Sequence, residues 1–156
     1  MNAVVIGAAK PGYAEAITRK LIKNGFKVIG TYDTEFEENA TKLSKEFSSE
    51  KLTLKSLDLS SRNDLKSFVD DIVDPIDSFV FAQFYFDMEN PDDFNHEIWD
   101  KSIAINLTAP NYLIHELKNK MNAGSSIVIL TSTEGFRGSY GASAHAATKA
   151  AIHNLV

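Results

Sequence analysis

The chain has 156 residues, 44% hydrophobic and 24% charged, enough apolar material for one water-soluble globular domain spanning 1–156 to bury a core. Sixteen Lys and Arg against twenty-one Asp and Glu give a net charge of -5 without a basic stripe, which excludes nucleic acid and anionic lipid as partners. With no cysteine, no clustered histidines and no apolar run near the roughly 20 residues of a membrane span, the sequence offers no disulfide, thiolate, metal site or membrane segment.

Met1 leads straight into an apolar strand with no charged signal-peptide segment, so a cytoplasmic protein is expected. Short β-rich runs at 3–6, 27–31, 52–54, 79–82 and 127–131 are mostly apolar, as strands buried on both faces of a sheet should be. Between them, 14–24, 36–47 and 61–73 carry apolar residues at helical spacing. That alternation predicts βαβ units around a parallel sheet of about five strands. Gly25 is placed to end the first helix. Ser61 is placed to cap the third, with Asp64 three residues on, and Asp74-Pro75 to close it. The fourth connection is the longest, an aromatic and acidic loop over 83–95 followed by a helical segment over about 97–121, bent near Pro110. A last alanine-rich helix opens near Gly141 and is still running at Val156. Because a doubly wound sheet continues from such a helix into another strand, this one either caps a five-stranded sheet or is the stump of a longer protein, and the stump is expected.

Directly after the first strand, Gly7-Ala8-Ala9-Lys10-Pro11-Gly12-Tyr13-Ala14 is a small-residue run that turns the backbone into a helix N-terminus. Free N–H groups and the positive end of the helix dipole attract a pyrophosphate there, although such a turn also forms for packing alone. The stretch resembles the T-G-x-x-x-G-x-G turn of the short-chain dehydrogenase/reductase family, with Gly7 in the Thr place, Ala8 and Ala14 in glycine places and Gly12 retained. The resemblance implies a Rossmann-like doubly wound parallel sheet that binds NAD or NADP, with Gly7, Ala9, Lys10, Gly12 and Tyr13 at the cofactor. The alanines, and Pro11 with its missing N–H, imply weaker binding. At the end of the second strand Asp33 is placed to accept from the 2'-hydroxyl of an adenosine ribose, which favours NAD, whereas Lys10 pulls toward a 2'-phosphate. Asp33 is equally readable as a solvated loop carboxylate. Asp58-Leu59 is similar to the family's adenine-contacting pair, and Asp58 is also readable as a turn residue before Ser61.

The second half resembles the family's catalytic elements in order and spacing. Trp99 and Asn106 look like the helix carrying its structural and proton-relay asparagine, and an asparagine buried there needs a partner, since an unsatisfied amide costs about 1 to 3 kcal/mol. The alternative is an asparagine that kinks the helix near Pro110. The run 127–135 is similar to I-V-N-I-S-S-x-x-G and places Ser132 as the serine that hydrogen-bonds the substrate carbonyl, although a strand-end Ser/Thr cluster also serves turns. The family then has Tyr-x-x-x-Lys on one helix face, where this chain has His145-Ala146-Ala147-Thr148-Lys149. His145 lies thirteen residues after Ser132, as the family's tyrosine would, and Tyr140 is too close to Ser132 to take its place. An imidazole beside Lys149 is pushed toward its neutral form, a poorer acid than the lowered phenol but one that keeps an N–H. His145 is also readable as a tolerated histidine in a site that has lost its chemistry. After the fourth strand, Phe81-Ala82-Gln83-Phe84 replaces Asn-Asn-Ala-Gly and narrows the place where that backbone passes the cofactor, and the segment that shapes the family's substrate pocket is missing.

The resemblance therefore implies an NAD(P)-dependent oxidoreductase acting on a small-molecule carbonyl or secondary alcohol. Ser132, His145, Lys149 and Asn106 are its catalytic set, and Lys149 also holds the cofactor ribose. The competing expectation is a non-catalytic relative, a nucleotide-binding or structural module. The small face formed by Ala142, Ala146, Ala147, Ala150 and Ala151 suggests a homodimer or homotetramer.

Overall fold

The computed structural model describes residues 1–155, so Val156 lies outside the described residues. Five strands, β1 (Asn2–Ile6), β2 (Lys27–Tyr32), β3 (Leu52–Ser56), β4 (Ile76–Phe81) and β5 (Met121–Ile129), form one sheet in the order β3-β2-β1-β4-β5. Every neighbouring pair is parallel, so each return needs a crossover. The helices α1 (Tyr13–Lys23), α2 (Glu37–Glu46), α3 (Arg62–Asp71), α4 (His96–Ile103), α5 (Ala109–Leu117) and α6 (Ser143–Ile152) supply the connections and the closing element. This is the Rossmann-like doubly wound sheet that the alternation predicts. Its order reverses between β1 and β4, and an open α/β sheet binds ligands at the carboxyl ends of the strands flanking such a reversal.

The two-residue period of a strand divides the core into two layers. Val4 and Ile6 join Phe79 and Phe81 on one face, against Leu65, Phe68 and Val69 of α3 and Leu113 and Leu117 of α5. Ala3 and Val5 join Val28 and Val80 on the other, against Ala14 and Ile22 of α1 and Leu43 of α2. The second layer is built of smaller side chains, which draws α1 close to the sheet. Gly30 is needed in that layer, since a Cβ there would stand 2.4 Å from the Ala8 Cβ.

Several local expectations hold. Ser61 caps α3 by accepting from the Asp64 N–H at 3.2 Å, and Gly25, at φ 86°, follows the C-cap Asn24 of α1. Others shift. The second helix is preceded by a 3-10 turn at Thr34–Phe36, because the Asp33 side chain accepts from the Glu35 N–H and starts the coil early. The long segment over 97–121 is interrupted at Ala104–Thr108, a π-helical turn, whereas Pro110 sits in the first turn of α5, where its missing N–H costs nothing. β5 forms one edge of the sheet, so it is not buried on both faces as expected, and Val128 is 44% exposed. Among the described residues no helix is long and apolar enough to cross a membrane.

Candidate active site

The turn after β1 is shaped by two glycines in the left-handed region, Gly7 at φ 84° and Gly12 at φ 97°. A Cβ on Gly7 would lie 2.8 Å from Gln83 Oε1, whereas one on Gly12 would meet nothing within 4 Å. The first glycine thus allows close packing, and the second leaves open, solvent-exposed space ahead of α1. That helix begins without a side-chain cap; the Glu15 N–H donates to the Lys10 carbonyl at 3.1 Å, and the N–H groups of Tyr13 and Ala14 remain available to an anion. Ala8, Ala9 and Ala14 are fully buried in the core layer against the sheet. The methyl groups in the family's glycine places therefore pack inward, and Ala9 supplies backbone only.

Lys10 is half-buried; its Nζ donates to the Phe84 carbonyl at 3.3 Å and stands 3.8 Å from the centre of the Phe84 ring. Burial pushes its pKa down, and the nearby carboxylates of Glu35 and Asp33 oppose that. Asp33 itself accepts from the Glu35 N–H at 3.3 Å. Asp58 accepts from the Ser60 N–H at 2.8 Å and from its hydroxyl at 2.7 Å. Both aspartates thus shape their own loops, and Leu59 is buried beside the second.

A cleft of about 430 Å³ opens between the start of α1, the end of β5 and α6, lined by Tyr13, Phe84, Ser132, Glu134, His145 and Lys149 among others. One helical turn puts His145 and Lys149 on the same face of α6, both buried. Lys149 Nζ donates to the Leu130 carbonyl at 3.0 Å. Burial, with Lys10 as a neighbouring cation, pulls its pKa down to about 8. His145 Nε2 lies 3.3 Å from Glu134 Oε2, and the Ser132 hydroxyl donates to the same oxygen at 3.3 Å. Burial first, then Lys149, pushes the His145 pKa below its usual range, and the Tyr85 carbonyl and Glu134 resist. Phe84 and Phe86 present edge contacts to its ring at 5.8 and 5.2 Å.

The structure thus brings Tyr13, Ser132, His145 and Lys149 together, with Lys10 beside them. Asn106 is placed differently. Fully buried in the π-helical turn, it accepts from the Tyr85 N–H at 2.8 Å, donates to the Tyr85 carbonyl at 2.9 Å and meets Thr148 Oγ1 at 3.3 Å. It clamps the loop after β4 to α6. Tyr140 is 81% exposed and does not line the cleft. Glu134 is the residue that sequence reasoning missed; its only signal is a carboxylate two places after Ser132 at a strand end.

A family model described as enoyl-(acyl carrier protein) reductase matches residues 7–156. The chain belongs to the short-chain dehydrogenase/reductase family. Within that family it is an atypical member, with His145 where the catalytic tyrosine stands. Solved structures agree in fold. Serine dehydrogenase from Escherichia coli is 26% identical with a TM-score of 0.87, over 99% of this chain and 73% of that one. BdcA in complex with NADPH is 24% identical with a TM-score of 0.88, over 99% of this chain and 61% of that one. The angucycline C-6 ketoreductase LanV with bound NADP is 21% identical with a TM-score of 0.89, over 99% and 63%. This short-chain dehydrogenase/reductase chain thus spans less than two thirds of the length of the last two. No curated protein matches the sequence.

The family implies a nicotinamide dinucleotide, and the residues fit one in two places. The open space at Gly12 ahead of α1, whose start has no side-chain cap, suits a diphosphate. The buried Gln83 Oε1 beside Gly7 has no hydrogen-bond partner and offers a free acceptor to a hydroxyl group. Between that turn and Lys149 stands the Phe84 ring, 6.4 Å from Tyr13 in a stacked pair and 5.5 Å from Lys149 Nζ.

Proposed function

We propose that the chain is a single NAD(P)-binding domain of an oxidoreductase that reduces a small-molecule carbonyl or oxidises a secondary alcohol. The observation that carries this reading is the convergence of Ser132, His145 and Lys149 on one cleft beside the open N-terminus of α1. NAD or NADP would be held by the backbone at Gly7, Ala9, Gly12 and Tyr13, by Lys10, and by Lys149 at a ribose. Asp33, Asp58 and Leu59 lie toward the adenosine end in this reading. When bound, the nicotinamide supplies or accepts the hydride.

The chain's own groups handle the oxygen of the substrate. Ser132 donates its hydroxyl to that oxygen, and the His145 Nε2–H polarises it from the other side. Neutral imidazole is a weak acid, so proton delivery is slow near neutral pH and rises as His145 becomes charged. Asn106 supports the site by fixing the Tyr85 backbone and, through Thr148, the helix that carries Lys149.

The Phe84 ring favours a second reading, a nucleotide-binding or structural relative without turnover that self-associates as a homodimer or homotetramer. Calorimetric titration of NADH and NADPH, followed by a carbonyl panel, separates the two. Heat of binding with turnover supports the oxidoreductase, and binding without turnover supports the second reading. No heat with either nucleotide overturns both nucleotide-based readings, and sedimentation then tests self-association.

A further inference from the structure

We propose that Glu134 is a positioning residue for His145, holding the imidazole as its Nε2–H tautomer and gathering that N–H and the Ser132 hydroxyl on one carboxylate oxygen. His145 Nε2 and the Ser132 Oγ each lie 3.3 Å from Glu134 Oε2, the imidazole at ion-pair distance and the hydroxyl as a hydrogen-bond donor. Glu134 is held from its other end as well. It follows Ser132 in a 3-10 turn, and its own N–H donates back to Ser132 Oγ at 3.3 Å.

The other ring nitrogen decides the tautomer by contrast. His145 Nδ1 is buried and makes no hydrogen bond. The Tyr85 carbonyl on that side already accepts from the Asn106 amide at 2.9 Å, and Nδ1 does not reach hydrogen-bond geometry with it. A proton on Nδ1 would be a buried donor left unmade, whereas one on Nε2 meets a carboxylate in a charge-assisted contact. The neutral ring therefore keeps its proton on Nε2, on the side that faces the cleft.

The remaining charges do not replace Glu134. Lys149, on the same helix, opposes protonation of His145, and Lys10 acts on Lys149 from the phosphate turn. Glu89, in the loop after β4, is engaged at the start of α6, where it accepts from the Ala144 N–H at 2.8 Å and from the Ser143 hydroxyl. Glu134 is thus the carboxylate that meets the ring. Its consequence for turnover rests on the proposed function, whereas the tautomer and charge of His145 do not.

The test is ring ¹⁵N NMR of the full chain with labelled histidine, titrated through the acid range for wild type and Glu134→Gln, with His145→Gln identifying the signal. The expected wild-type ring is the Nε2–H form at neutral pH. The isosteric Glu134→Gln removes a negative charge without removing volume, so His145 titrates lower by about half a pH unit or more, as expected for a partly exposed carboxylate in contact. A wild-type ring in the Nδ1–H form overturns the proposal, as does a smaller displacement of the midpoint in Glu134→Gln. The wild-type tautomer is read without Glu134→Gln, and scalar couplings from the labelled ring to the assigned backbone of residue 145 identify the signal if His145→Gln fails to fold, so that arm stands alone. Absence of cofactor binding and turnover would sink the oxidoreductase reading while leaving the NMR result intact, so the two failures are distinguishable.

Discussion

Phe84 sets the tightest limit on any ligand that spans the cleft. Its ring lies stacked on Tyr13 at the start of α1, meets the edge of His145 and stands between the Lys10 and Lys149 ammonium groups. A dinucleotide reaching from the phosphate turn to Lys149 must move that ring aside. Phe84→Gly is expected to tighten NADH or NADPH binding by about tenfold, or about 1.4 kcal/mol, by calorimetry. Unchanged affinity would show that the ring is not in the path.

Lys149 makes a second prediction at this scale. Its folded pKa of about 8 lies below the unfolded value near 10.4, so its burial as a cation costs stability wherever both states are protonated, below pH about 8. As pH rises from there, the folded state gives up its proton first and wild-type stability gains relative to a neutral variant. Lys149→Met should therefore be more stable than wild type at pH 7, by about 1 to 2 kcal/mol after the lost bond to the Leu130 carbonyl is counted, with the gain shrinking from pH about 8 upward and gone by pH about 10. Urea melts at both pH values measure it; a gain that grows with pH contradicts the sign. The placement of Ser132, His145 and Lys149 was legible in the sequence because one strand end and one helical turn fix their relation. Glu134 was not, because its contact with His145 depends on how the turn after β5 faces α6, which no local period records.

At the scale of elements, the π-helical turn and the loop after β4 form one unit through Asn106. Its amide satisfies both backbone groups of Tyr85, so the aromatic loop is tied down beside the cleft. Asn106→Ala leaves those groups without a side-chain partner and is expected to cost about 2 to 3 kcal/mol in urea unfolding. Loss of Phe84 and Phe86 order should follow, visible as weaker shielding of the His145 ring resonances. A cost under about 0.5 kcal/mol would mean that solvent or a neighbour replaces the amide. The sequence announced that Asn106 needed a partner, but Tyr85 is 21 residues away across an irregular loop, beyond any periodic signal. The helix interruption was misplaced for a related reason. Proline is a visible breaker, whereas the extra residue of a π-helical turn has no compositional mark.

For the whole molecule, the alternation of short apolar strands with helices of 3.6-residue period carried most of the fold, since successive βαβ units build a parallel sheet covered on two faces. The edge position of β5 escaped that logic, because Ile127, Val128 and Ile129 are as apolar as a central strand. Ligand binding at the reversal between β1 and β4 joins the two halves of this sheet, so it should register as global stability. At tenfold excess over its dissociation constant, a nucleotide that binds only the folded chain adds about 1.4 kcal/mol, raising Tm by about 3 to 6 °C for a chain of this size. NADH should give the larger shift at equal concentration and low salt. In the proposed reading the adenosine end lies beside Asp33 and Glu35, and Lys10, the cation near them, is already turned to the Phe84 carbonyl, so a 2'-phosphate would meet net repulsion. Raising the ionic strength should narrow the difference, since exposed charges are screened over about 10 Å at 0.1 M salt. A larger shift with NADPH would transfer the adenosine end from Asp33 to Lys10. No shift with either nucleotide would remove the cofactor from this fold's function altogether.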